Sequence, residues 1–174
     1  MTENQKPELL PKPIVDLLLP RLSDEFKAYY FYRAAANWCK GVGFMKAGAF
    51  FHNESDDELE HAKKIEDFLV DWNVDPDLPT IMKPQIKFKS LMEVIEKAYE
   101  LEFNLYEAYE ETSMKIFKAG DVCAFDFLQP LRAIQTKSVA EYSDKLNILD
   151  GVNVGDKFQM LQLEETLFGD EQEG

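Results

Sequence analysis

The chain has 174 residues, 45% hydrophobic and 30% charged, with 33 acids against 19 bases and a formal net charge of −14. That length suits one domain with a substantial core, and the apolar content excludes a disordered chain. The acidic surplus argues against nucleic acid as a partner, because such binding needs clustered cations, and it is compatible with attracting cations.

Residues 1–12 carry Pro7 and Pro11 among several charges and read as an extended N-terminal arm. No basic stretch leads into a clean apolar run, so no signal peptide is expected. Nothing approaches the roughly 18 apolar residues of a membrane span. Cys39 and Cys123 are too few for a disulfide framework. These features point to a cytoplasmic protein that does not engage a membrane.

A first helix is expected over about 14–40, with an apolar stripe of Leu18, Leu22, Tyr29, Tyr32 and Ala36, stopping at Gly41-Val42-Gly43. Pro20 inside it removes one helical hydrogen bond and should kink or restart the helix. A second helix follows over about 44–72. Residues 73–89, with Pro76, Pro79 and Pro84, are irregular. Ser90 and Glu93 then read as a capping box that opens a third helix, which runs to about Lys118. Asp121 caps a fourth, from 122 to about 149, with Pro130 as a kink. A short fifth helix is expected over 156–168, and residues 169–174 form a loose acidic tail. Residues 13–168 thus make one domain.

Four long amphipathic helices imply an all-α bundle. The short links at 41–43 and 119–121 join antiparallel neighbours. The 17 residues of 73–89 reach roughly 55 Å when extended, against about 42 Å for a helix of about 28 residues. That link can travel the full bundle and leave helices two and three parallel. One long crossover is the ferritin-like arrangement among four-helix bundles.

Each helix carries a polar group on the stripe that should be core. They are Glu25 on helix one, Glu58 with His61 on helix two, Glu102 on helix three and Gln135 on helix four. Glu25 and Glu58 are 33 residues apart, as are Glu102 and Gln135, so two helical hairpins can bring all of them to one level. A lone ionised carboxylate in an apolar interior is costly, and three would also repel one another. Bound metal removes the problem, and carboxylates with one imidazole suit iron or manganese. Two metals fit better than one, with Glu58 able to bridge. Taken singly, a Glu on a core stripe is more often at an edge. Tyr29 and Tyr32 read as core fillers on pattern alone, and His52 as structural or exposed.

On these residues the chain resembles ferritin of the non-haem, heavy-chain-like or bacterial kind, from about residue 13 to 168. The segments that carry the resemblance are DEFKAYYFYRAAANWC, DDELEHAKKIEDFL, SLMEVIEKAYELE and FDFLQPLRAIQTKSVAEYSDKLNIL. The resemblance implies that Glu25 and His61 are ligands of a first iron, Glu58 bridges two irons, and Glu102 holds the second with Gln135 hydrogen-bonding nearby. Tyr32 takes the place of the tyrosine beside the centre, Asp57 an acid just outside it, and Glu60 lies near the cavity-facing acids. It further implies oxidation of Fe(II) by dioxygen or peroxide at two irons per subunit, and storage as ferric mineral in a hollow shell of 24 like subunits.

The chain departs from the pattern at Pro20, at Lys63 where an acid often stands, and at Phe125 and Leu128 where many ferritins carry pore acids. Lys137 and Ser138 replace acids that some bacterial ferritins use for a third iron. Helix two has no Met in its middle, which argues against haem. Two alternatives stay open: a ferritin-like di-iron protein with other redox chemistry, such as peroxide detoxification, and a metal-free structural bundle with a hydrogen-bonded polar core.

Overall fold

Apolar stripes at helical spacing produce five helices among the described residues, 10–169 of the computed structural model: α1 Lys12–Gly41, α2 Met45–Asp71, α3 Leu91–Ala119, α4 Val122–Leu149 and α5 Lys157–Phe168. Residues 1–9 of the expected arm and 170–174 of the expected tail lie outside that range. No described helix is long and apolar enough to cross a membrane.

The capping chemistry sets most of the boundaries. Ser90 Oγ accepts from the Glu93 N–H at 3.1 Å, as a capping box requires. The Glu93 carboxylate reaches one residue further back than in that motif and accepts from Lys89 N at 2.5 Å. Asp121 accepts from Ala124 N at 2.9 Å to start α4. Gly120, with φ of 75°, closes α3 in the left-handed region that a side chain disfavours.

The helix does not restart at Pro20. α1 is continuous through it, as α4 is through Pro130. Both prolines are exposed, so the hydrogen bond each one removes leaves its carbonyl near water. Leu18 and Leu22, both fully buried, hold the turns on either side of Pro20 in place.

Cross-helix contacts fix the topology. Glu25 meets His61 while Arg33 meets Asp56, so α1 and α2 are antiparallel. Glu25 meets Tyr109 while Tyr32 meets Glu102, so α1 and α3 are antiparallel as well. α2 and α3 are therefore parallel, and the irregular segment 72–90 is the crossover that makes this possible. Phe88 pins its end by packing edge-on against Phe31 and Trp38.

The apolar interior falls into two parts. One contains Ala28, Tyr32, Phe51, Ala98 and Tyr142; the other contains Leu22, Ala62, Ile65, Tyr109 and Leu131. The buried polar residues Glu25, Glu58, His61, Glu102 and Gln135 form a belt between them.

α5 is anchored by charges as well as by Met160, Leu167 and Phe168. Buried Glu164 accepts from the Ala47 N–H at 3.0 Å and so serves the first turn of α2, whose own N-cap residue, Phe44, supplies no side-chain bond. Lys145, also buried, donates to the Leu167 carbonyl at 2.8 Å and lies 4.5 Å from the Phe50 ring centroid. Glu164→Ala is expected to destabilise the fold by about 1–3 kcal/mol through the orphaned buried N–H, with Glu164→Gln keeping most of the stability. Denaturant midpoints of the three proteins check this.

Candidate metal centre

Glu25 on α1 and Glu58 with His61 on α2 bring one ligand atom each to within 4.8 Å of one another, all three buried. The spacing from Glu58 to His61 is less than one helical turn, so both project to the same side of α2. His61 Nδ1 lies 3.3 Å from Glu58 Oε2 and 3.6 Å from Glu25 Oε2. Glu102 and Gln135, from α3 and α4, complete the belt, with 0% and 1% of their surface exposed. Glu102 lies outside the tight three-residue group and is held by the Tyr32 hydroxyl, which donates to its Oε1.

Among the sequence-derived candidates, Asp57 stands apart: it is exposed on α2, on a different face from Glu58. Glu60 is likewise exposed and pairs with Lys63 at 2.5 Å. Tyr32 is fully buried, stacked between Phe51 and Tyr142 at centroid distances of 6.0 and 6.2 Å. His52 lies outside the belt and contacts Arg33 at 2.7 Å.

Three groups near the belt escaped the sequence reading. The Tyr109 hydroxyl donates to Glu25 Oε1. Tyr142 donates to Glu54 Oε2 at 3.0 Å, and Glu54 sits one turn before Glu58 on the same helix. A signal for Tyr109 was present, since it follows Glu102 by the same seven residues that separate Tyr32 from Glu25. A tyrosine on an apolar stripe reads as packing until the carboxylate facing it is known.

The electrostatics are those of crowded acids in a dry interior. Burial pushes Glu58 well above the usual carboxylate range, and the Glu25 charge pushes it further. Glu102 rises to about 8, chiefly through burial and against the lowering effect of its Tyr32 hydrogen bond. Glu54 rises to about 7 through burial and the nearby Glu141 charge. Burial also acts to raise Glu25, but the neighbouring His61 and Glu58 outweigh it and leave Glu25 lowered. Tyr32, Tyr109 and Tyr142 are all raised well above 10, through burial first and then neighbouring carboxylates, so each keeps its proton and acts as a donor.

The donor set can hold metal. Oε2 of Glu25, Oε2 of Glu102 and Oε1 of Gln135 are buried without a hydrogen-bond partner, an arrangement that normally costs about 1–3 kcal/mol per group. Hard oxygens with one imidazole match iron or manganese rather than a thiol-seeking ion.

A bundle of parallel and antiparallel helices with a buried carboxylate–histidine group at its waist is ferritin-like in architecture. The ferritin-like domain matches residues 15–152. A bacterial non-heme ferritin of Campylobacter jejuni is 31% identical over 121 residues, covering 70% of this chain and 72% of that protein. A probable bacterial non-heme ferritin-like protein of Haemophilus influenzae is 31% identical over 144 residues, covering 81% of this chain and 87% of that protein. The open-pore ferritin of Archaeoglobus fulgidus superposes with a TM-score of 0.85 at 23% identity, covering 94% of this chain and 98% of its own. The chain belongs to the ferritin family.

The raised Glu102 carries a pH dependence. Its folded value of about 8 exceeds its ordinary 4.5, so between them the native state binds more proton than the unfolded state and stability falls as pH rises. Glu54 and Glu58 act in the same direction. Glu25, being lowered, matters only below that window. The metal-free protein is expected to melt at progressively lower temperature as pH climbs from about 4.5 to about 8. Glu102→Gln should flatten the slope, as should a saturating divalent metal that replaces the proton. Calorimetric melts across that range check both.

Proposed function

We propose that this protein is an iron-storage ferritin that oxidises Fe(II) at an intra-subunit paired-metal centre and keeps the Fe(III) as mineral inside a hollow homo-oligomeric shell. The observation that carries the reading is the buried belt itself: acids and an imidazole from separate helices converge, and Oε2 of Glu25, Oε2 of Glu102 and Oε1 of Gln135 have no hydrogen-bond partner.

In this reading Glu25 and His61 hold the first iron, Glu58 spans both, and Glu102 holds the second beside Gln135. Tyr32 fixes Glu102 by its hydrogen bond. Exposed Asp57 is an acid on the approach to the centre. Iron is the substrate: two Fe(II) give up one electron each, and dioxygen with two protons leaves as hydrogen peroxide, or peroxide with two protons leaves as water. Burial favours the protonated forms of Glu58 and Glu102 in the metal-free state, so iron binding competes with protons at both carboxylates.

The asymmetry of the centre supports a site that passes iron onward. Bundles that retain a di-iron cofactor carry a second Glu-x-x-His pair. α4 here offers Gln135 and half-buried Ser138 in its place, so the second iron binds more weakly than the first. The proposed setting is the cytoplasm, with no haem and with 24 copies in the closed shell. Iron entry past the α3–α4 turn would meet an apolar end, where Phe117 and Val122 are exposed and Leu128 is buried.

Size-exclusion with light scattering is expected to give a particle about 24 times the 20.1 kDa chain, which turns amber on Fe(II) in air. Glu58→Ala and His61→Ala should slow the oxidation by at least about 10- to 100-fold with the particle intact. A stable monomer that takes up no iron, or variants that oxidise at the parent rate, would sink the proposal. Anaerobic Fe(II) titration should give two unequal sites per subunit; two equally tight sites would remove the pass-through argument.

A further inference from the structure

Two stretches of the chain share one pattern. Glu25-Phe26, Tyr29 and Tyr32 on α1 have the same spacing as Glu102-Phe103, Tyr106 and Tyr109 on α3. Seven residues are about two helical turns, so in each helix the Glu and the second Tyr lie on one face. α1 and α3 run antiparallel, and each Glu therefore faces the other helix's Tyr. Both reciprocal bonds are formed: Tyr32 donates to Glu102 Oε1 and Tyr109 donates to Glu25 Oε1. In both glutamates the other oxygen, Oε2, is the one left buried and unpartnered. The middle tyrosines, Tyr29 and Tyr106, are only half-buried, so the match is confined to the four groups at the centre.

We propose that Tyr109 is a positioning residue for the first metal, the counterpart of Tyr32 at the second: each phenol holds one carboxylate oxygen so that its glutamate presents a single oxygen to metal. This rests on the paired-metal reading above. A carboxylate free to rotate can chelate one ion through both oxygens. A phenol that occupies Oε1 prevents this, fixes the plane of the carboxylate, and leaves coordination positions for a second ion or for the oxidant. A structural filler would need only volume in this place, and phenylalanine would serve. The hydroxyl is what reaches Glu25. The two half-sites then differ in their third donor, His61 on the Glu25 side and Gln135 on the Glu102 side, so the two tyrosines act on separate binding steps.

Anaerobic Co(II) titration, followed by visible absorption and calorimetry, separates the steps without redox chemistry. The metal-free parent protein, Tyr32→Phe and Tyr109→Phe are compared, with Tyr109→Met in parallel as a second hydroxyl-free variant and thermal melts as the control for folding. Tyr109→Phe is expected to weaken the first Co(II) by about 10- to 100-fold, the usual range for loss of a group that orients a ligand, and to change the visible band as Glu25 chelates through both oxygens. Tyr32→Phe should leave the first step unchanged and weaken the second by a similar factor. If both tyrosine variants keep parent affinities and spectra, or both weaken the same step, the inference is wrong. A parent protein that binds no Co(II) would overturn the metal-centre reading itself, and this inference with it.

Discussion

Several carboxylates share a space from which water is excluded, and the rest of the molecule is arranged around that fact. In a low-dielectric interior an ionised acid must be neutralised by a proton, a donor or a cation. All three are visible in the belt. Glu58 and Glu102 are pushed toward their protonated forms, Tyr32 and Tyr109 supply hydrogen bonds, and the remaining oxygens stay open. A stable all-apolar waist would have been simple to build from the same helices, because the layers on either side already pack Leu, Ile, Phe and Ala at close to zero exposure. The strain of the belt is therefore concentrated in one level and supported from above and below.

That support is also what makes the geometry reproducible. Tyr32 is held by stacking on Phe51 and Tyr142, and Tyr142 is held by Glu54. Glu102 is thus oriented by a neighbour whose own position is fixed by packing. The crossover and α5 contribute at a distance. Phe88 fixes the end of the segment that lets α2 and α3 run parallel, and Glu164 completes the first turn of α2.

Much of this was legible without coordinates. Helical periodicity, Ser90 and Asp121 as caps and Gly120 as a stop are local signals, and they placed the helices within a few residues of their observed ends. The five polar belt residues were legible because a charge on an otherwise apolar stripe is a local contradiction, readable one helix at a time. At Pro20 the local rule allows a kink or a restart, and with Leu18 and Leu22 buried on either side α1 continues without restarting.

The sequence by itself therefore determined the helices, the single crossover and the level at which acids enter the core, since each follows from spacing along one chain. Only the tertiary structure decided which oxygen of Glu25 or Glu102 is bonded and which is open, that Asp57 faces solvent, that Tyr109 donates to Glu25 and that Tyr142 donates to Glu54. Those outcomes depend on contacts between residues far apart in sequence, where antiparallel packing sets one helix's register against the next, and periodicity within a single helix carries no information about that register.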